Sequence, residues 1–316
     1  MQSKYNSIYF SQLNYHKCNL SFLNKNSFFL KKIKNFSDLK KNKFNFMSVK
    51  VIFCYQGFFY DKKNLSKFKK LKFLVSNTTS DKFIDHDYCK KNKIKILTLT
   101  NKKKILEKIT PTAEHTIGLI LSITRNYLKA ISSLNKNKWD RRPYAGEKML
   151  SKSIVGIIGG GRIGIMVSKI LSSFGSKVIV AEKKNKNFKI KLRQICRDSD
   201  IISLHIPSFK NDNFFSKNRF KLRKKFYLIN TSRGDVVDEN YVLELLKKRL
   251  MLGYATDVLN NEFDASFKLS KNIIFKNRNK FNIILTPHIG GSTKDAWRLT
   301  EKSIILELKE QISKTT

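Results

Sequence analysis

The sequence predicts an α/β protein built from two doubly wound domains with parallel sheets. Its 316 residues are enough for two domains of ordinary size, and 41% hydrophobic residues are enough to give each domain a core. In residues 49–98, and again in residues 154–290, short apolar stretches alternate with segments of helical pattern. This alternation is typical of strands joined by crossover helices in a parallel sheet.

The first of these regions predicts a small sheet. Residues 1–47 are polar and rich in Asn and Lys, with one candidate strand near residues 7–10. Three further strands and one helix are predicted, with the helix between the last two strands: strands 51–55, 71–75 and 94–98, and helix 85–92.

A long helix is predicted over residues 110–132. Threonine at position 110 can cap free N–H groups, and Pro111 loses no hydrogen bond at the first helical position. Residues 117–123 make the helix apolar around most of its circumference. Such a helix is expected to be buried on more than one side, between domains or in a subunit interface.

The second region predicts six strands with helices between most of them. The predicted strands are 154–158, 177–180, 201–205, 227–230, 253–257 and 283–286, and two of the predicted helices are 162–174 and 239–249. In an open parallel sheet the carboxyl ends of the strands line one crevice, where ligands bind.

A glycine-rich motif follows the first of these strands and opens a helix. Gly159 permits a tight turn, Gly161 lets the backbone approach a pyrophosphate, and Gly164 lets helix and strand touch. The free N–H groups of the helix N-terminus then face the phosphates. Strand, motif and helix together predict a dinucleotide site of the Rossmann type.

An acidic residue at the end of the next strand indicates which dinucleotide is bound. The carboxylate of Glu182 can accept hydrogen bonds from ribose hydroxyls and repels a 2′-phosphate, so NAD is favoured over NADP. Lys183 and Lys184 follow directly and can bind that phosphate, which weakens the preference.

Three further loops carry groups suited to the chemistry of an oxo acid. Arg233 can clamp a 2-oxo acid with two parallel hydrogen bonds, and His288 can move the proton that accompanies reduction. A carboxylate beside the histidine, from Asp257 or Glu262, can orient the imidazole and favour its protonated form.

The motifs GIIGGGRIG, SLHIP, INTSRGDVVDE, ATDV…E and LTPHIGGST occur in this order within residues 50–305. With them the chain resembles the D-isomer-specific 2-hydroxyacid dehydrogenase family, in its phosphoglycerate dehydrogenase-like branch. The resemblance implies a Rossmann NAD domain, residues 110–288, inserted into a flavodoxin-like substrate domain formed by residues 1–109 and 289–316. It also implies an NAD-dependent enzyme that reversibly reduces a small 2-oxo acid to the D-2-hydroxy acid, and a homodimer formed through the NAD domain.

The resemblance implies a role for each matching residue. Arg233 looks like the substrate-binding arginine, Glu262 like the acid paired with the histidine, and His288 like the general acid/base. Asp257 matches the aspartate that contacts the nicotinamide carboxamide. The implied cofactor contacts are Gly159, Gly161, Arg162, Ile163, Gly164, Glu182, His205, Pro207, Thr231, Asp257, His288 and Gly290. The implied substrate contacts are Thr79, Ser80, Asp81, Arg233 and His288.

The chain departs from the family pattern at several positions. Phe263 replaces the proline that usually follows the acid, Ser80 replaces a loop glycine, and Phe209 stands where threonine is common. Residues 271–280 form a polar insertion, expected to be an extra loop at the domain edge. Among the other histidines, His205 is expected to be structural, His115 to be a packing or interface residue, and His16 and His86 to lie on the surface.

The formal net charge of +40 reflects residue usage rather than a binding function. Only 12 of the 64 basic residues are arginine, and lysine is spread over the whole chain, so we expect no specific nucleic-acid partner. Four scattered cysteines predict reduced thiols, no metal site and a cytoplasmic location, and no apolar run is long enough to cross a membrane. Two rival functions are a catalytically silent NAD sensor and a nucleic-acid-associated protein on the same fold. The substrate stays open among phosphoglycerate, glycerate, glyoxylate or hydroxypyruvate, lactate and sugar-derived acids.

Overall fold

A computed structural model describes residues 5–38, 46–208, 212–222, 224–264 and 266–314. The chain divides into two compact units, the first made of Met1–Ile109 with Ser292–Thr316 and the second of Thr110–Gly291. The domain junctions predicted from the sequence follow residues 109 and 288. Each unit contains one parallel sheet with helices around it, which confirms the predicted fold class.

The first unit holds a five-stranded sheet in the order β2-β1-β3-β4-β5, the flavodoxin-like order. Its strands are β1 Tyr5–Phe10, β2 Phe28–Ile33, β3 Val51–Phe53, β4 Phe73–Val75 and β5 Lys95–Leu97. Its helices are α1 Lys17–Lys25, α2 Lys62–Leu65, α3 His86–Lys91, α4 Lys103–Leu106 and α11 Lys294–Ser313. Helix α11 packs its buried face, with Ile304, Ile305 and Leu308, into the core of this unit.

The second unit holds a six-stranded sheet in the order β11-β10-β9-β8-β6-β7, and all of its strands are parallel. Its strands are β6 Ile154–Ile158, β7 Lys177–Ala181, β8 Ile201–Leu204, β9 Phe226–Asn230, β10 Met251–Thr256 and β11 Ile283–Leu285. The helices are α5 Pro111–Thr124, α6 Tyr127–Leu134, α7 Arg162–Ser173, α8 Phe188–Asp198, α9 Glu239–Lys247 and α10 Ile273–Asn277. The strand order reverses between β6 and β8, so the ligand crevice of such a sheet is expected there.

The predicted long helix is two helices, so the prediction of one helix over 110–132 was wrong. Helix α5 ends at Thr124, and Asn126 takes a left-handed backbone conformation with φ of 54° before α6 begins. A single left-handed residue breaks the helical path because it cannot continue a right-handed helix. Thr110 does not cap α5 either, because its hydroxyl donates to the carboxylate of Glu114 instead of accepting from the backbone.

The polar insertion is ordered rather than an open loop. A short 3-10 helix, Leu269–Lys271, leads into α10, and the side chain of Asn272 caps α10 by accepting from the backbone N–H of Phe275. Ile274 is fully buried in the core of the second unit. The three apolar residues at 273–275 lie within the helix and bury Ile274, which the overall polarity of 271–280 concealed.

Within the described ranges, no helix is both long and apolar enough to cross a membrane.

Candidate active site

The second unit gathers the predicted site at one edge of its sheet. Because the strands are parallel, the loops that follow them all leave from the same edge. These loops carry, from β6 to β11, Gly159, Glu182, His205, Arg233, Asp257 and His288.

The glycine loop has two positions closed to side chains and one open position. Gly159 has a φ of 104°, and a Cβ there would lie 2.3 Å from the carbonyl oxygen of His205. A Cβ on Gly164 would lie 2.0 Å from the carbonyl oxygen of Gly159, so helix and loop touch there. A Cβ on Gly161 would meet nothing within 4 Å. The space at the N-terminus of α7 therefore fits a phosphate group, as the sequence predicts.

Glu182 lies beside this loop. Its Oε2 accepts a hydrogen bond of 2.6 Å from the backbone N–H of Gly160, and its Oε1 accepts one of 3.3 Å from that of Lys184. The carboxylate is thus held at the end of β7 next to the open space, while the side chains of Lys183 and Lys184 are exposed. This is a suitable place for the ribose contact that was predicted.

His205 has a structural role, because its contacts are with the surrounding strands. Its Nε2 is 2.9 Å from Ser203 Oγ, and its backbone N–H donates to the carbonyl of Ile158 at 2.7 Å. Burial lowers the pKa of His205 to about 4, so the imidazole is neutral at physiological pH. Pro207 is exposed two residues later, and Phe209 lies outside the described residues.

Three other predicted cofactor contacts lie around the same edge. Ile163 is partly buried against the core under α5 and α7, and burial lowers the pKa of Arg162 beside it. Thr231 is buried, with its hydroxyl 2.8 Å from that of Thr116. The Thr116 contact ties the loop after β9 to helix α5.

His288 and Glu262 form a close pair. Nδ1 of His288 lies 2.8 Å from Oε1 of Glu262, and the two side chains are 34% and 16% exposed. Because Nδ1 is engaged by the carboxylate, Nε2 is the nitrogen left to meet a substrate. The prediction that these two residues come together agrees with the geometry, although the usual proline is absent after Glu262.

Asp257 holds the backbone of the histidine loop. Its Oδ1 accepts from the N–H of Ile289 at 2.9 Å, and its Oδ2 accepts from that of Gly290 at 2.7 Å. The backbone N–H of His288 also donates to the Asp257 carbonyl at 2.9 Å. His288 has a φ of 53°, an uncommon conformation for a residue with a side chain, and this set of bonds stabilises it.

Two side chains complete the surroundings of Asp257. Oδ1 accepts from the hydroxyl of Thr286 at 2.6 Å and lies 3.4 Å from Nε2 of His115. Burial alone would raise the pKa of Asp257, but the hydrogen bonds from His115, Thr286 and the two backbone groups outweigh it and lower the pKa. His115 thus supports the aspartate, a role that its position in a helical pattern did not reveal.

Arg233 is half-buried beside this pair. Its Nη1 donates to the backbone carbonyl of Ser232 at 2.6 Å, and no carboxylate in the described chain lies within 4.0 Å of its guanidinium. Burial lowers the pKa of Arg233, while the nearby charges of Glu262 and Asp235 raise it. A guanidinium stays charged at neutral pH even so, which leaves a partly desolvated cation suited to an anionic ligand.

Phe263 packs against the histidine. The centroids of the Phe263 and His288 rings are 5.4 Å apart, with the planes tilted by 53°. The residue that replaces the usual proline therefore covers one side of the imidazole with an apolar ring.

The predicted substrate loop of Thr79, Ser80 and Asp81 lies in the first unit, after β4. The hydroxyl of Thr78 donates to the carbonyl of Ser80 at 2.9 Å, and Asp81 pairs with His86 at 3.2 Å. A side-chain hydrogen bond therefore shapes this turn, so it does not need the glycine that Ser80 replaces.

Among the residues that the structure covers, no group of three or more His, Cys, Asp or Glu side chains is arranged to hold a metal ion.

The chain is similar to named proteins over much of its length. It is 33% identical to the glyoxylate reductase of Thermofilum pendens over 220 residues, which cover 63% of this chain and 62% of that protein. It is 31% identical to the D-3-phosphoglycerate dehydrogenase of Methanocaldococcus jannaschii over 209 residues, 63% of this chain and 38% of that protein. The chain thus matches less than two thirds of the length of either relative.

A solved structure and a family model agree with these matches. The D-lactate dehydrogenase from Aquifex aeolicus, solved in complex with NAD and lactic acid, has a TM-score of 0.76 and 25% identity, covering 98% of this chain and 96% of that one. Residues 117–290 match the family model described as D-isomer specific 2-hydroxyacid dehydrogenase, NAD binding domain. The open space at Gly161 and the position of Glu182 fit that cofactor. This chain belongs to the D-isomer specific 2-hydroxyacid dehydrogenase family and carries its NAD-binding domain.

Proposed function

We propose that this protein is an NAD-dependent oxidoreductase that reversibly reduces a small 2-oxo acid to the D-2-hydroxy acid. The observation that carries the proposal is the pair of His288 and Glu262, 2.8 Å apart, on the same strand-end edge as Arg233 and the glycine loop. An acid/base, its partner and an anion-binding guanidinium are the groups that this reaction requires.

The cofactor would be held at the edge described above. The N-terminus of α7, with the open space at Gly161, would receive the pyrophosphate, and Glu182 would bind the ribose hydroxyls. When bound, NADH supplies the hydride for C2 of the oxo acid. Asp257 is proposed to contact the nicotinamide carboxamide, and Thr231 and Gly290 to line the same edge.

The remaining steps belong to the side chains of this chain. Nε2 of His288 donates a proton to the carbonyl oxygen of the substrate, and Glu262 holds Nδ1 so that the ring keeps the correct orientation. The guanidinium of Arg233 binds the oxo acid and stabilises the negative charge that develops on its oxygen. Thr79, Ser80 and Asp81 stay the predicted contacts of the substrate carboxylate.

The test is loss of NADH absorbance with a panel of 2-oxo acids: glyoxylate, hydroxypyruvate, phosphohydroxypyruvate and pyruvate. We expect turnover with at least one of them. NADH binding without turnover of any of these acids would contradict the proposal and favour an NAD sensor.

Two glycine variants separate cofactor binding from folding. Gly161→Ala should weaken NADH binding about tenfold or more, because its methyl group enters the phosphate space, while stability stays within about 1 kcal/mol. Gly164→Ala should lower stability by about 1–3 kcal/mol, because its Cβ meets the Gly159 carbonyl. The measurements are NADH fluorescence titration and urea unfolding. Unchanged NADH affinity in Gly161→Ala would place the pyrophosphate elsewhere.

A third variant tests the choice of cofactor. The parent should use NADH with a kcat/KM about tenfold above that for NADPH, because Glu182 repels a 2′-phosphate. Glu182→Ala should narrow this ratio, since Lys183 and Lys184 then attract the phosphate without opposition. Initial rates with both cofactors measure it. Equal or better use of NADPH by the parent would show that the two lysines override the carboxylate.

We also propose that the protein is a homodimer formed through its second unit. Helix α6 leaves four apolar side chains substantially exposed: Tyr127, Leu128, Ile131 and Leu134. Such a surface is expected to pack against another protein surface.

Light scattering after gel filtration tests the dimer with matched variants. The parent should have twice the chain mass of 36.9 kDa, and Ile131→Glu should reduce it to the chain mass. Ile190→Glu is the control, because Ile190 is equally exposed but lies on α8 of the same unit. A monomeric parent, or loss of the dimer in both variants alike, would contradict this interface.

A further inference from the structure

Glu239 has a buried carboxylate and does not belong to the proposed catalytic pair of His288 and Glu262. Glu239 is the first residue of α9 and is only 8% exposed. Its Oε1 accepts a hydrogen bond of 3.1 Å from the backbone N–H of Asn260, two residues before Glu262. A buried carboxylate is costly unless its oxygens are bonded, so a residue in this position has a specific structural task.

The second partner of this carboxylate comes from the inserted segment. Nδ2 of Asn272 lies 3.1 Å from Oε1 and 2.8 Å from Oε2 of Glu239. The Oδ1 of the same amide accepts from Phe275 and caps α10. One asparagine therefore joins the start of α10 to Glu239, and Glu239 joins both to the loop that carries Glu262.

The loop of residues 259–261 makes further contacts with the segment before α9. The Nδ2 of Asn260 donates to the carbonyl of Val237 at 3.1 Å, and a Cβ on Gly234 would lie 2.0 Å from the carbonyl oxygen of Leu259. Asn261 has a left-handed backbone with φ of 58°, immediately before Glu262. The direction in which the Glu262 side chain leaves the loop depends on the backbone at 259–261, and Glu239 bonds that backbone.

We propose that Glu239, held by Asn272, is a positioning residue that fixes the 259–261 backbone and thereby places the Glu262 carboxylate on His288. The assignment rests on the proposed function, because it concerns the pair that moves the proton. The other titratable groups next to Glu239 are Asp238 and Tyr254, and those next to Glu262 are His288 and Arg233.

The loss of Glu239 has a defined consequence. Without its carboxylate, the N–H of Asn260 and the amide of Asn272 become buried donors with no acceptor, which the loop can relieve only by moving. Glu262 then leaves Nδ1 of His288, and the imidazolium loses the negative charge that favours it.

The test follows His288 directly by NMR, with imidazole signals measured against pH in the full chain without substrate. The chain has only five histidines, and His288→Asn identifies the signal of His288. Glu262→Gln gives the titration midpoint of the unpaired ring. Glu239→Gln keeps the size but turns an NH2 group toward one of the two donors. Because the glutamine keeps one acceptor oxygen, we expect its midpoint to move part of the way to that of Glu262→Gln.

Two further variants make the test specific. Glu244→Gln is the control, because Glu244 lies on the same helix but pairs with Lys248 at the surface, and its midpoint should equal that of the parent. Asn272→Ala removes the outer bonds of Glu239 together with the cap of α10, and should give an intermediate midpoint, so it replaces Glu239→Gln if that variant does not fold. Unchanged titration of the other four histidines shows that the fold is intact.

The outcomes separate this assignment from the proposed reaction. A parent-like midpoint in Glu239→Gln and Asn272→Ala, with a shifted midpoint in Glu262→Gln, would overturn the role of Glu239 even if 2-oxo acids are reduced. The expected shifts in a protein that reduces no 2-oxo acid would support the role of Glu239 and overturn only the reaction. No shift in Glu262→Gln would overturn both the paired carboxylate and the residue proposed to place it.

Discussion

Arg233→Ala should lower kcat/KM for the 2-oxo acid about 10²–10³-fold while NADH binds almost as well as to the parent. The guanidinium is half-buried, is anchored by one bond to Ser232, and meets no carboxylate within 4.0 Å in the described chain. Its loss therefore removes an interaction with the substrate and with the charge that develops on the substrate. It does not remove a contact that supports the cofactor crevice. Steady-state kinetics and NADH fluorescence titration measure the two effects separately.

Arg233→Lys is the matched control for charge. Lysine keeps the positive charge but presents no planar pair of donors, so it should recover part of the rate and leave KM for the oxo acid raised. If NADH affinity falls in parallel with activity in Arg233→Ala, the arginine is a scaffold residue and the substrate clamp lies elsewhere. Urea unfolding of both variants checks that the turn at Gly234 is intact.

The strands of the second unit could be predicted from the sequence because their signals are local. Each one is a short apolar run followed by a loop with a recognisable residue, such as Gly159 after β6 or His288 after β11. The break between α5 and α6 could not be predicted in this way. It depends on one left-handed residue, Asn126, within a segment that is apolar on both sides of it.

Strand β2, near the beginning of the chain, was not predicted for a related reason. Strand β2 is an edge strand in which Lys31 and Lys32 interrupt the apolar run, so its sequence lacks the regular alternation that predicts a strand. Charged residues on an edge strand are a common protection against pairing with other chains. The burial that defines such a strand comes from its neighbours and is absent from the local sequence.

The proposed catalytic groups could be predicted as residues, but their supports could not. The order of the motifs indicates Arg233, Glu262 and His288. The bonds that hold them in place, from His115 to Asp257 and from Asn272 to Glu239, join residues far apart in the chain. No spacing rule predicts such contacts. The insertion at 271–280 illustrates this, because it looks like an edge loop and instead supplies Asn272.

His288→Asn should lower the rate of 2-oxo acid reduction about 10²–10⁴-fold, since general acid–base catalysis commonly contributes that much. Reduction needs the protonated imidazole, so kcat/KM of the parent should fall as pH rises. Oxidation of the hydroxy acid needs the neutral ring, so its rate should rise over the same range. The fall of the reductive rate and the rise of the oxidative rate with pH should both be absent in His288→Asn, whose amide cannot exchange a proton in this range.

Glu262→Gln tests the carboxylate that faces Nδ1 at 2.8 Å. Glutamine keeps the size of the side chain and can still accept a hydrogen bond, but it removes the negative charge that favours the imidazolium. The fall of kcat/KM for reduction should therefore occur at lower pH, and the rise of kcat/KM for oxidation should begin at lower pH by the same amount. The measurement is kcat/KM against pH in both directions for the parent and both variants. pH profiles that do not move in Glu262→Gln would overturn the role of Glu262 as the carboxylate paired with His288.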